Sequence, residues 1–152
     1  MFIRGYGGTG VRRYENSFAI HCQSKYNMND FYYRKLDSYQ LAKQLVTKVY
    51  ILLQKFPDYE RFALCDQIRR AVISIPSNIA EGAGRFSLKD RIRFLDISYG
   101  SLYETMCQME IALEQKYITN EDFDAFEQLA ARTSMTIMGL KRNYETKLNN
   151  NQ

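Results

Sequence analysis

Acidic residues are plentiful in this 152-residue chain, but the histidines and cysteines that would join them in covalent or metal chemistry are few and scattered. His21 is its one histidine, and Cys22, Cys65 and Cys107 are widely spaced. A catalytic histidine or a histidine-based metal site is therefore not expected, and no cysteine pair is close enough in sequence for a metal knuckle. Cys65 and Cys107 read as small core residues, and Met106, Met109, Met135 and Met138 as core filling. No helical stretch carries the Glu-x-x-His pattern of di-iron bundles. Gly5-Tyr6-Gly7-Gly8-Thr9-Gly10 has the spacing of a dinucleotide-binding loop. Only four residues precede it, however, and no strand–loop–helix unit surrounds it. Glu81 beside Asn78 reads as a polar pair bracing a helix, not as a general base. The expectation is a protein without cofactor, metal or active site; a small enzyme would need a pocket of convergent polar groups, which the sequence does not announce.

What remains is electrostatic chemistry. The net charge is only +4, so its distribution carries more information than its size. From Arg61 to Arg93, seven basic residues (Arg61, Arg69, Arg70, Arg85, Lys89, Arg91, Arg93) face three acidic ones (Asp66, Glu81, Asp90). From Phe94 to Ala131 the balance inverts, with eight acidic residues and Lys116 alone opposing them. From Arg132 onward the sum returns to +3. Arg69, Arg70, Arg85, Lys89, Arg91 and Arg93 are the candidate phosphate contacts. The competing reading is a solvated face laced with intrahelical pairs such as Asp90 with Arg93.

These charges must be positioned by helices. Two prolines, Pro57 and Pro76, leave room for long ones. The first helix is expected from Ser38, as N-cap, to near Phe56, with Ala42, Leu45, Val49 and Leu52 on its seam. The second starts between Asp58 and Arg61 and runs to about Gly82. Its seam of Leu64, Ile68, Ala71, Ile75, Asn78 and Gly82 resumes in phase beyond Pro76, which predicts a continuous, kinked helix rather than a stop at Ile75. Asn78 on that seam could fix pairing register by bonding a neighbouring helix. Gly82 and Gly84 should supply the stop and turn.

Ser87 opens the third helix. Leu88, Ile92, Leu95, Tyr99, Leu102, Met106, Met109 and Leu113 repeat a four–three step along it, and Gly100 inside it suggests close approach of another helix. The fourth begins after Thr119 or Asn120, with a seam of Phe123, Phe126, Ala130, Thr133, Ile137, Leu140 and Tyr144. Such seams with short connections predict an all-α, antiparallel up-down-up-down four-helix bundle over residues 29–148. Residues 1–28 read as a flexible extension, with Met28 an alternative start, and 149–152 as a disordered tail. No apolar run approaches a membrane span, and the cysteine usage fits a reduced bacterial cytoplasm.

The run from Gln67 to Gly84, together with Arg93-Phe94-Leu95 and Gly100-Ser101-Leu102, resembles the four-helix-bundle family encoded in intervening sequences of bacterial 23S rRNA genes. Ser74-Ile75-Pro76-Ser77-Asn78-Ile79-Ala80-Glu81-Gly82 is its most recognisable stretch. The likeness covers roughly Tyr39 to Tyr144. It implies a four-helix bundle and, because relatives form rings of five, a homopentamer. Some relatives are accessory subunits of retroelement reverse transcriptases. The "ribosomal protein" label attached to the family reflects gene location rather than a place in the ribosome.

Ile73, Phe94 and Ile97 lie off the seams, as do Val72, Ile79 and Ile111, and suggest a second contact surface for sister subunits; a broader core stripe is the alternative. Two functions follow. One is a non-enzymatic oligomeric bundle binding RNA or a ribonucleoprotein through its basic surface. The other is a protein-interaction scaffold or accessory subunit, in which Ile73, Phe94 and Ile97 would face a different protein.

Overall fold

The computed structural model describes residues 31–150; His21, Cys22, the glycine-rich run and the proposed 1–28 extension lie outside the described residues. Four helices follow one another: α1 (Asp37–Leu53), α2 (Leu64–Ala83), α3 (Leu88–Glu114) and α4 (Asn120–Asn150). A 3-10 turn at Tyr32–Lys35 precedes α1, and another at Asp58–Glu60 leads into α2. Each helix packs on its neighbour in sequence and α4 packs back on α1, which closes an antiparallel four-helix bundle.

The apolar period explains the packing. Leu45, Val49 and Leu52 of α1 meet Ile68, Val72, Ile75 and Ile79 of α2, Leu95, Leu102 and Met109 of α3, and Phe126 and Ile137 of α4 in one core. The fourth seam is as expected, with Phe123, Phe126, Ala130, Thr133, Ile137 and Tyr144 all buried.

Other expectations need correction. Ser38 is not the N-cap of α1; Leu36 holds that position and Ser38 is buried inside the first turn. Residues 149 and 150 belong to α4 rather than to a tail. Val72 and Ile79 are core, because the buried stripe of α2 is wider than a strict 3.5-residue seam. On α3, Ser98, Ser101 and Thr105 are buried alongside the apolar seam. They look solvent-facing in a hydropathy pattern, yet each hydroxyl finds a carbonyl or hydroxyl. Ser98 Oγ donates to Ile75 O of α2 (2.9 Å), and Thr105 Oγ1 to Ser101 O (2.8 Å). Cys65 is buried but Cys107 is exposed. Met109 fills the core, whereas Met135 and Met138 face outward.

Helix α2 runs unbroken through Pro76. Asn78 does not reach a neighbouring helix directly. Its Nδ2 donates to Ser74 O and Ser74 Oγ (2.7 and 2.8 Å), and the Ser74 hydroxyl lies 2.9 Å from that of Ser101 on α3. Any register role is therefore relayed through Ser74. Glu81 is exposed and pairs with Arg85, not with Asn78.

The two conspicuous glycines also change roles. A Cβ on Gly82 would stand 2.8 Å from Phe94 Cβ, so Gly82 permits the close crossing of α2 and α3 rather than ending α2. The C-cap is Gly84, with an ordinary right-handed backbone (φ −79°). A Cβ on Gly100 would meet nothing within 4 Å, so none of the described helices approaches there.

Candidate nucleic-acid interface

The turn from Gly82 to Ser87 is braced from both sides. Gly84 N–H bonds back to Ala80 O and Glu81 O, and Arg85 N–H to Gly82 O. Ser87 Oγ accepts from Asp90 N and caps α3, as its sequence position predicts. Arg91 Nε donates to Arg85 O (2.7 Å), tying the first turn of α3 to the connection. The Arg85 guanidinium lies 4.7 Å from the Phe94 ring centroid and is bonded to Glu81. Phe94 is thus half-buried at the crossing over Gly82, not a free outer-face residue.

The antiparallel topology brings the C-terminal part of α4 to this same end. Arg91 sits over Tyr144, its Cζ 5.7 Å from the ring centroid. Burial pushes the Tyr144 phenol above its ordinary pKa. Lys141 reaches across to Asp96 of α3 (2.5 Å) and lies 3.8 Å from Glu145; the hydrogen bond from Lys141 to Asp96 raises the lysine pKa. The Tyr32–Lys35 turn packs on α1 and α2 and adds Arg34 and Lys35.

Of the six candidate phosphate contacts, Arg85, Lys89, Arg91 and Arg93 are brought together at the α2–α3 turn. Lys89 and Arg93 are exposed, and among the described residues neither has a carboxylate within ion-pair distance; the Asp90–Arg93 pair does not form. Arg91 is half-buried and committed to Arg85 O and Tyr144. Arg69 and Arg70 do not join this group. From Arg70 to the end of α2 at Ala83 the helix rises thirteen residues, about 20 Å, before the turn reaches Arg85. Arg69 is tied to Asp66 (2.8 Å) and Arg61 O (3.4 Å) at the other end, while Arg70 is exposed.

Two residues that charge counting along the sequence did not join to the cluster, Arg142 and Lys147, are exposed on the part of α4 that borders it. The signal was present in the positive sum after Arg132 and needed only the topology to assign it. Ile73 and Ile97 are exposed at 43% and 42%. Ile73 lines a groove between α1 and α2 with Tyr39, Val46 and Pro76, whereas Ile97 lies on α3, outside that groove.

The opposite end is acidic and internally tied. Thr119 and Asp122 cap α4 reciprocally: Asp122 N–H donates to Thr119 Oγ1 and Thr119 N–H to Asp122 Oδ2, both at 3.2 Å. Lys55, just beyond the C-terminal end of α1, donates to the same Asp122 oxygen (2.6 Å), and this bond leads the lowering of the aspartate pKa. Glu60 accepts from Tyr117 Oη (3.0 Å) and from Leu64 N (3.2 Å). The Tyr117 and Tyr59 hydroxyls are 3.2 Å apart, and that contact, with burial and Glu60, drives the Tyr117 phenol far above its ordinary value. Between α3 and α4 lies a groove of about 420 Å³ lined by Tyr103, Met106, Cys107, Glu110 and Glu127. Among the described residues no group of three or more His, Cys, Asp or Glu is placed to hold a metal, and no helix is long and apolar enough to cross a membrane.

Residues 34–139, most of the bundle, match the profile of the 23S rRNA-intervening sequence protein. The chain belongs to the 23S rRNA-intervening sequence protein family. Among solved structures, a protein of unknown function from the S23 ribosomal protein family of Bacteroides thetaiotaomicron has the same fold. It is 24% identical with a TM-score of 0.58, covering 68% of this chain and 94% of its own. No curated protein matches the chain significantly. The family match includes the turn from Gly82 to Ser87 and the first turns of α3, but stops before Arg142 and Lys147.

Proposed function

We propose that this member of the 23S rRNA-intervening sequence protein family is a non-enzymatic RNA-binding bundle. It docks RNA, free or within a ribonucleoprotein, on the end formed by the α2–α3 turn and the C-terminal part of α4. The observation that carries this reading is the gathering of Lys89, Arg93, Arg142 and Lys147 at one end, exposed and without carboxylate partners among the described residues. Unpaired, solvated cations release counterions from a phosphate backbone when they bind it; paired ones gain far less. Copies arranged as a ring, five by family resemblance, would merge these ends into one broad positive surface.

The test is binding to a structured RNA across a salt series, with oligomer mass measured by light scattering in the same buffers. Affinity should fall steeply with salt. The Lys89→Glu, Arg93→Glu, Arg142→Glu variant should flatten the log–log slope by about 0.7 to 0.9 for each phosphate that is no longer neutralised. No binding at low salt by an intact oligomer would overturn the reading. It would favour the second one, a scaffold whose partner is a protein, for which the exposed Ile73 and Ile97 speak.

A further inference from the structure

Phe86 is the one residue of the α2–α3 turn with no structural duty. Its side chain is 102% exposed, as open as in an extended chain, and it contributes nothing to the core. Everything around it is held. Arg85 before it is fixed by Glu81, Phe94 and Arg91, and Ser87 after it caps α3. A phenylalanine is therefore carried on a rigid tip, with Lys89 a few residues away and Arg93 one helical turn further.

Phe62 offers a contrast. It is also highly exposed, at 84%, but stands at the acidic end, with Asp58, Glu60 and Asp66 nearby in sequence and its ring 5.7 Å from Arg61 Cζ. The Phe62 ring is already faced by the Arg61 guanidinium and lies at the end where carboxylates predominate, whereas Phe86 stands beside cations that have no carboxylate partner among the described residues and that attract a phosphate backbone. Aromatic faces beside basic side chains are how proteins hold unpaired nucleotides, because every base has a face to stack. In a duplex the bases are stacked on each other, and a side chain at the end of a bundle cannot reach those faces.

Resting on the RNA-binding reading, we infer that Phe86 stacks on an unpaired base while Lys89 and Arg93 hold the flanking phosphates, so that the ligand is single-stranded or looped RNA rather than duplex. The experiment is titration of the full chain with a labelled oligouridine strand and with a duplex RNA of equal length, for the parent, Phe86→Ala and Phe86→Trp. Because Phe86 packs on none of the described residues, its loss should leave unfolding and oligomer mass unchanged. Phe86→Ala should weaken binding of the single strand about fivefold or more and leave the duplex unaffected, and Phe86→Trp should retain the parent's affinity. If Phe86→Ala weakens neither ligand, or both equally, the stacking role is wrong while salt-dependent binding keeps the broader reading alive. If it changes oligomer mass, Phe86 is a subunit contact and the inference falls. If the parent binds neither RNA, the broader reading fails and takes this one with it.

Discussion

The two ends of the bundle are held together by different physics. At the acidic end polar groups close on one another: Thr119 with Asp122, Asp122 with Lys55, Glu60 with Tyr117 and Leu64 N–H. At the basic end the helices are joined by a steric fit, Gly82 under Phe94, and by the buried Tyr144 beneath Arg91. Arg85 and Lys141 have carboxylate partners there, but among the described residues Lys89, Arg93, Arg142 and Lys147 do not. An end that is closed by packing has no need of its charges for stability and can leave them available to a ligand. At the acidic end the engaged groups are those that close it, Asp122 and Glu60, while Glu110, Glu114, Glu121, Asp124 and Glu127 are exposed without an ion-pair partner among the described residues and make that end repel a phosphate backbone.

Four variants put this contrast at risk. The largest effect belongs to Gly82→Ala. The added methyl would lie 2.8 Å from Phe94 Cβ, an atom that cannot swing away, so α2 and α3 must separate. Overpacking of this kind costs about 1–3 kcal/mol, against a helix-propensity gain of about 1 kcal/mol, so chemical denaturation should show a net loss of up to about 2 kcal/mol. A gain in stability would mean that packing does not hold the basic end.

Next is Asp122→Asn, which should cost about 0.5–1 kcal/mol near neutral pH by removing the charge that faces Lys55, since an amide oxygen can still accept from Thr119 N–H. The carboxylate is held below its ordinary value of 3.8, first by Lys55 and then by Thr119. A carboxylate whose folded pKa is depressed stabilises the fold above its ordinary pKa and loses that contribution as pH falls through the lower folded value. The difference between parent and variant should therefore close as the pH drops below 3.8. A gap that stays constant in acid would show that the latch is not ionic.

Gly100→Ala is the control between the two ends. With nothing within 4 Å of the new Cβ, it should stabilise α3 by about 0.5–1 kcal/mol, measured as a rise in the denaturation midpoint. The smallest effect is expected from Lys89→Gln with Arg93→Gln. Without partners to lose, the double variant should unfold within about 0.5 kcal/mol of the parent. A clear loss of stability would mean these cations belong to the fold after all.

Much of this molecule can be read from hydropathy. The α4 seam from Phe123 to Tyr144 is buried almost residue for residue, and Ser87 caps α3 as its position predicts. The α3 seam is legible only in part. Ser98, Ser101 and Thr105 are buried because α2 comes close enough for small hydroxyls to bond its backbone or their own, and no periodicity of apolar residues reveals that. Val72 and Ile79 look like surplus surface for the related reason that a bundle core draws on a wider stripe than a coiled-coil seam. In the candidate interface, Lys89 and Arg93 are visible from charge alone, whereas the separation of Arg69 and Arg70 from them, and the arrival of Arg142 and Lys147, are not.

Four amphipathic helices, their order, and the segregation of positive and negative charge along the chain are all written in the amino-acid order, because each depends on residues near one another in sequence. Which charges share an end, which cations keep a carboxylate, and which glycine is indispensable are settled by the packing of the helices. Those outcomes depend on distances between residues far apart in the chain: Arg91 to Tyr144, Lys141 to Asp96, and the vacant Cβ position of Gly82 to Phe94.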